Sequence, residues 1–198
     1  MKIDLINKPE RVIIGRYLKR RVAMTTHQVF NVLGCAIGLY VSKWVFLISV
    51  LSVTLLWIYA SFFKKKPFIG NLIVSLLTSL SLIILAVYYP QNRELVGIYA
   101  FFAFGITLIR EIIKDMEDVR GDASHGCRTL PIIWGIFRTK LFLYVLISFF
   151  IPTLFMVAYW LKNSQLAWMF LALMGLIGWL VYRLVYADTK REFGALSS

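Results

Sequence analysis

Six apolar stretches of near-uniform length leave this chain few ways to fold. They run Val22–Val41, Trp44–Phe63, Phe68–Tyr88, Leu95–Ile113, Thr139–Leu161 and Trp168–Ala187. Each is close to the roughly 20 residues that an α-helix needs to cross a bilayer. Lipid offers backbone N–H and C=O groups no partner, so each stretch must satisfy them internally as helix. Aromatic residues that favour membrane interfaces stand at their ends: Trp44, Tyr88, Tyr89, Trp160, Trp168 and Tyr186. Hydrophobic residues make up 60% of the 198, more than a soluble domain of that size could hide from water. The expected fold is all-α: a polytopic transmembrane helical bundle of about six spans, forming one domain over residues 1–198. Ile132–Phe137 is apolar but too short to span, and is expected to lie at the interface.

Orientation follows from the charges. The formal net charge is +12, and 19 of the 22 basic residues fall in alternate loops: before the first span, at Lys64–Lys66, between Arg110 and Lys140, and near the C-terminus. The intervening loops hold Lys43, Arg93 and Lys162. This asymmetry places both termini and the 110–140 region in the cytoplasm of a cell-membrane protein. It also accounts for the basic balance without nucleic acid as a partner. Lys64-Lys65-Lys66 reads most simply as an anchor to anionic membrane lipids. The two cysteines, Cys35 and Cys127, lack metal-binding spacing and predict neither disulfide nor zinc site. Met1–Arg21 has no apolar core and is not a secretory signal. It and Ala187–Ser198 read as loops cut from a longer protein.

Five of the ten carboxylates fall within twelve residues: Glu111, Asp115, Glu117, Asp118 and Asp122. On a helix, with Asp115 at zero, Glu111 lies at about 320°, Asp118 at about 300° and Asp122 at about 340°. Four acids thus share a stripe about 60° wide, provided Gly121 does not end the helix first. Like charges one turn apart repel, and more so near low dielectric. Lys114 flanks the stripe but cannot neutralise it alone. A divalent cation could: Mg²⁺ takes oxygen ligands and bridges one or two carboxylates to substrate phosphates. The plainer account is a solvated helix end, salt-linked to Arg110, Lys114 and Arg120. Against it, ionisable residues at the end of a membrane span are functional by default. The basic loop Gly126-Cys127-Arg128-Thr129-Leu130-Pro131 follows, with Arg128 suited to grip phosphate oxygens.

Arg110 to Asp122, with Gly126 to Pro131, resembles the second Asp-rich motif and trailing loop of the UbiA superfamily of intramembrane prenyltransferases. Asn7-Lys8-Pro9-Glu10-Arg11 with Gly15 resembles the segment after that family's first Asp-rich motif, and Asp4 matches that motif's last acid. Within the superfamily, Lys114-Asp-x-x-Asp-x-x-Gly-Asp122 is most similar to the digeranylgeranylglyceryl phosphate synthase branch; Arg120 stands where that branch usually has Glu. The family has about nine spans, so the resemblance implies that some lie outside this chain.

The resemblance implies Mg²⁺-dependent transfer of a prenyl group, geranylgeranyl in that branch, from its diphosphate to a lipid acceptor, geranylgeranylglyceryl phosphate. An aromatic acceptor of quinone biosynthesis is the alternative. Asp115, Asp118 and Asp122 are the implied catalytic acids. Asp118 and Asp122 would hold one Mg²⁺ with support from Asp115, and Asp4 would contribute to a second. Lys114, Arg11 and Arg128, and more weakly Lys8 and Arg110, would contact the diphosphate. Phe101, Phe102 and Phe104 could stabilise an allylic cation, though packing is the plainer reading. His27, His125 and Cys127 are expected to be structural. A transporter fragment is a more distant alternative, disfavoured because its acids would sit near mid-membrane at broken helices.

Overall fold

The acid-rich run and the span before it form one unbroken helix, and the rest of the chain is arranged around it. The computed structural model describes residues 13–14, 17–63, 65–89, 91, 93–161 and 164–197. In chain order the helices are α1 (Arg20–Val41), α2 (Lys43–Ile58), α3 (Ile69–Tyr88), α4 (Arg93–Ser124), α5 (Leu130–Leu161), α6 (Ser164–Tyr186) and α7 (Lys190–Ser197). A π-helical turn, Tyr59–Phe63, extends α2. Five helical segments are long and apolar enough to cross a membrane: α1, α2 with its π turn, α3, α4, and Leu130–Val157 of α5. The 23-residue α6 is apolar over most of its length. Among the described residues there is no β-strand.

Successive helices pack side by side: α1 on α2, α2 on α3, α3 on α4, α4 on α5 and α5 on α6. One residue, Ser42, makes the first hairpin. Its extended backbone (φ −169°) breaks the helix, and its Oγ accepts the Trp44 N–H at 3.3 Å. The helices close up where Gly38 meets α2: a Cβ there would lie 3.4 Å from Phe46 Cα. Small residues permit such approach between spans.

The core lies on the back of α4. Ile109, Ile112, Ile113 and Met116 pack with Leu143 and Ile147 of α5, Leu184 of α6 and Phe193 of α7. Further along, the Phe150 ring rests on Gly105 so closely that no Cβ fits. Phe101 stacks on Phe150 at 5.5 Å and Phe102 is buried against it. Phe104 packs at the edge of the main core. The three phenylalanines of α4 therefore pack against neighbouring side chains.

Two local features settle how the helices end. Gly121 does not end α4. It stays inside the helix, which runs on to Ser124 and closes with Gly126 in the left-handed region (φ 69°). The Cys127 N–H donates to Asp122 O at 3.0 Å and the Gly126 N–H to Ala123 O at 3.2 Å, the Schellman arrangement that only glycine enters without strain. Ile132–Phe137 straddles a break in α5: at Gly135 the backbone leaves the helix (φ 80°, ψ 161°), a conformation essentially restricted to glycine, so a short helix from Leu130 meets the long one there.

Candidate functional site

Because α4 continues to Ser124, Asp122 stays in register with the other acids. Ile112 and Ile113 are fully buried and Met116 nearly so, while Asp115, Asp118 and Asp122 are half-buried on the other side. The core thus takes the back of the helix and leaves the stripe on the front. Glu111, at the stripe's start, is 13% exposed in its side chain and pairs with Arg110 at 3.1 Å and Lys114 at 3.6 Å. Those two cations, expected as phosphate ligands, are thus engaged with Glu111. Arg110 also borders an apolar cavity of about 260 Å³ behind α4.

Asp115 is held from across the helix pair. Asn71 of α3, 44 residues earlier, donates its Nδ2 hydrogen to Asp115 Oδ2 at 2.9 Å. Asn71 is buried, and its neighbour Gly70 gives the Tyr59 ring room: a Cβ on Gly70 would lie 3.2 Å from Tyr59 Cε2. Tyr59 opens the π turn and stands within electrostatic range of Glu111, Asp115 and Asp122. π turns recur at functional sites because the extra residue re-aims side chains. Tyr59 also lines a cavity of about 590 Å³ between α1 and α2, with His27, Gln28, Asn31 and Thr54. His27 meets Asn31 of the same helix at 3.1 Å, and both line this cavity.

Two loops meet beside the acids. The Arg128 N–H donates to Lys65 O at 3.0 Å, which joins the loop after the stripe to the basic loop after α2. The second loop turns at Phe68, whose backbone is left-handed (φ 62°), a strained conformation for a bulky residue. Its ring packs edge-on against Phe142 at 5.6 Å. Lys65, read from sequence as part of a lipid anchor, therefore borders the loop that follows the stripe. Arg128 is exposed, and Cys127 is buried and in no disulfide. His125 Nδ1 lies 2.9 Å from Ser124 Oγ and 3.1 Å from Gly121 O, which ties it to the helix end. Asp4, Lys8 and Arg11 lie outside the described residues.

The donor set is all oxygen, which suits Mg²⁺. Among the described residues no three His, Cys, Asp or Glu side chains converge as a self-sufficient metal cage. A single file of carboxylates one turn apart instead fits an ion that takes one or two of them and completes its shell with water and phosphate. Sequence reasoning found the stripe but missed Asn71, Tyr59 and Lys65. An asparagine inside an apolar span, beside a glycine, was the signal available for Asn71.

The pattern of the UbiA prenyltransferase family matches residues 1–195. The chain is 38% identical over 135 residues to a digeranylgeranylglyceryl phosphate synthase of Methanothermobacter thermautotrophicus, covering 68% of this chain and 48% of that protein. It is 35% identical over 197 residues to one of Methanococcus maripaludis, covering 97% of this chain and 68% of that protein. A solved structure described as "Structural and mechanistic insights into the biosynthesis of Digeranylgeranylglyceryl phosphate synthase in membranes" is 25% identical and superposes with a TM-score of 0.65, over 98% of this chain and 70% of that one. The chain spans about half the length of the first of these relatives. With its apolar helices and this match along nearly its whole length, the chain is a multi-pass membrane protein and belongs to the UbiA prenyltransferase family.

Proposed function

We propose that this chain takes part in transfer of a geranylgeranyl group from its diphosphate to geranylgeranylglyceryl phosphate at the cytoplasmic membrane face. The observation that carries this reading is the half-buried file Asp115, Asp118 and Asp122 at the end of a span, beside the joined loops that bear Lys65 and Arg128. The relatives named digeranylgeranylglyceryl phosphate synthase support the acceptor.

In this reading the C1–O bond of the prenyl diphosphate breaks, and the electron pair leaves with diphosphate. The glycerol hydroxyl oxygen of the acceptor bonds to C1 and gives up its proton to an oxygen of the departed diphosphate. Asp118 and Asp122, with Asp115 in support, would hold one Mg²⁺ and Asp4 would contribute to a second; bound there, the metal would supply positive charge against the diphosphate. Arg128, Lys65 and Arg11 contact phosphate oxygens, with Lys8 further out. Lys114 and Arg110 act through Glu111, keeping the stripe's first acid engaged. Asn71 fixes the Asp115 carboxylate. The apolar helices around the site keep water from the allylic cation.

The test is an assay of membranes carrying the protein with geranylgeranyl diphosphate, with and without Mg²⁺, and with the glyceryl phosphate or an aromatic acid as acceptor. Metal-dependent transfer to the glyceryl phosphate, abolished by Asp118→Asn, is expected. Transfer to the aromatic acid alone moves the acceptor assignment; release of no diphosphate with either refutes the reading.

A further inference from the structure

Glu117 belongs to the acidic run but not to its stripe. It lies about 200° around the helix from Asp115, on the face covered by α7. Its side chain is buried and accepts a hydrogen bond from Ser197 Oγ at 2.9 Å. Gly194 of α7 lies against the same carboxylate: a Cβ there would sit 3.1 Å from Glu117 Oε1. Phe193 is buried in the core beside it.

The other end of α7 is tied as firmly. Thr189 and Glu192 form a capping box: Glu192 Oε2 accepts the Asp188 and Thr189 N–H groups at 2.9 Å each, and Thr189 Oγ1 accepts the Glu192 N–H at 3.4 Å. Lys140 Nζ of α5 meets Asp188 Oδ1 at 3.0 Å and lies over the Phe193 ring at 5.8 Å. This short helix is therefore a brace packed on α4 and α6 and tied to α5 through the Lys140 side chain.

Burying a carboxylate behind α4 costs free energy that an apolar residue would not. What it adds is a directional bond. Asn71 grips Asp115 on the front while Ser197 grips Glu117 on the back. A helix turns as a unit, so these two grips set the rotation of the turns that carry the stripe, against the mutual repulsion of its acids.

We infer that Glu117 is a positioning residue: through Ser197 and Gly194 it fixes the rotation of α4 so that Asp115, Asp118 and Asp122 face one ligand. This rests on the stripe being the metal and diphosphate site.

The test measures Mn²⁺ binding to the purified protein in detergent, hydrogen exchange of residues 110–124 and 190–197, and prenyl transfer. The variants are Glu117→Gln, Glu117→Ala, Gly194→Ala, Ser197→Ala and Asp118→Asn. Glu117→Ala and Gly194→Ala should weaken Mn²⁺ binding about tenfold, the scale seen when supporting groups around metal ligands are removed. Both should speed exchange in both segments. Glu117→Gln should retain binding, because its amide oxygen still accepts from Ser197. Ser197→Ala, which leaves α4 untouched, should show the same direction more weakly. Binding in Glu117→Ala within twofold of wild type, or damage by Glu117→Gln equal to that by Glu117→Ala, overturns the inference. If Asp118→Asn binds Mn²⁺ as wild type does, the stripe reading fails instead. Exchange then judges the brace alone: faster exchange over 110–124 in Glu117→Ala keeps it, and unchanged exchange removes it.

Discussion

Asn71 reaches across from α3 to donate a 2.9 Å hydrogen bond to Asp115, the acid at the middle of the stripe. A buried amide on a carboxylate is a charge-assisted bond, typically worth about 1.5–3 kcal/mol. Asn71→Leu should lower prenyl transfer on the order of tenfold or more by that measure. Asn71→Asp should be worse, because it faces one carboxylate with another. Transfer rates and Mg²⁺ titrations of the two variants in the same membranes check the order.

Gly105 under the Phe150 ring predicts an unusually sharp packing response. Gly105→Ala should lower the thermal midpoint in detergent, with an overpacking cost of roughly 1–3 kcal/mol. Adding Phe150→Leu should recover part of it, since the smaller side chain vacates the space. Equal losses in the single and double variants would refute the contact.

Gly135 makes the break in α5. Gly135→Ala should cost roughly 1–3 kcal/mol, the usual penalty for a non-glycine residue in such a conformation. Gly175, where an added Cβ meets nothing within 4 Å, is the control: Gly175→Ala should be neutral or slightly stabilising. Thermal unfolding of both variants decides.

Lys140 and Asp188 form an asymmetric pair: the lysine side chain is 10% exposed and the aspartate 82%. Asp188→Ala leaves a largely buried ammonium without its carboxylate and should be the more destabilising change. Lys140→Met frees an aspartate that water already solvates. Comparing the two thermal midpoints tests this ranking.

The cap of α7 predicts a pH response. The backbone N–H groups of Asp188 and Thr189 hold the Glu192 carboxyl below its ordinary range. A depressed folded-state pKa gives stability that is present above the unfolded value and lost as pH falls through the folded one. Exchange at 190–197 should therefore accelerate only in that acidic window, and Glu192→Gln should remove the pH step. A step that persists in Glu192→Gln assigns it elsewhere.

The stripe was legible because a helix converts spacing into direction, and the four acids repeat at three and four residues. The back of α4 was legible in the same way, since Ile109, Ile112, Ile113 and Met116 alternate with the acids. What was not legible depended on contacts between distant segments. Asn71 gains its meaning only when α3 lies beside α4, 44 residues later. Tyr59 opens a π turn, which no periodicity announces. Whether Gly121 would end the helix was left open by the spacing; the deciding signal was Gly126, where the chain needs a left-handed residue. Glu117 counted as one more acid until α7 folded back over it.

The loop after the stripe is joined to the loop after α2 by main-chain atoms alone, Arg128 N–H to Lys65 O. Such a joint is blind to side-chain chemistry. The joint therefore survives a change of side chain at 65 or 128, proline at 128 excepted because it has no N–H to give. Reach and charge at the mouth of the site can be retuned there one substitution at a time, while the frame that holds the mouth in place is inherited unchanged.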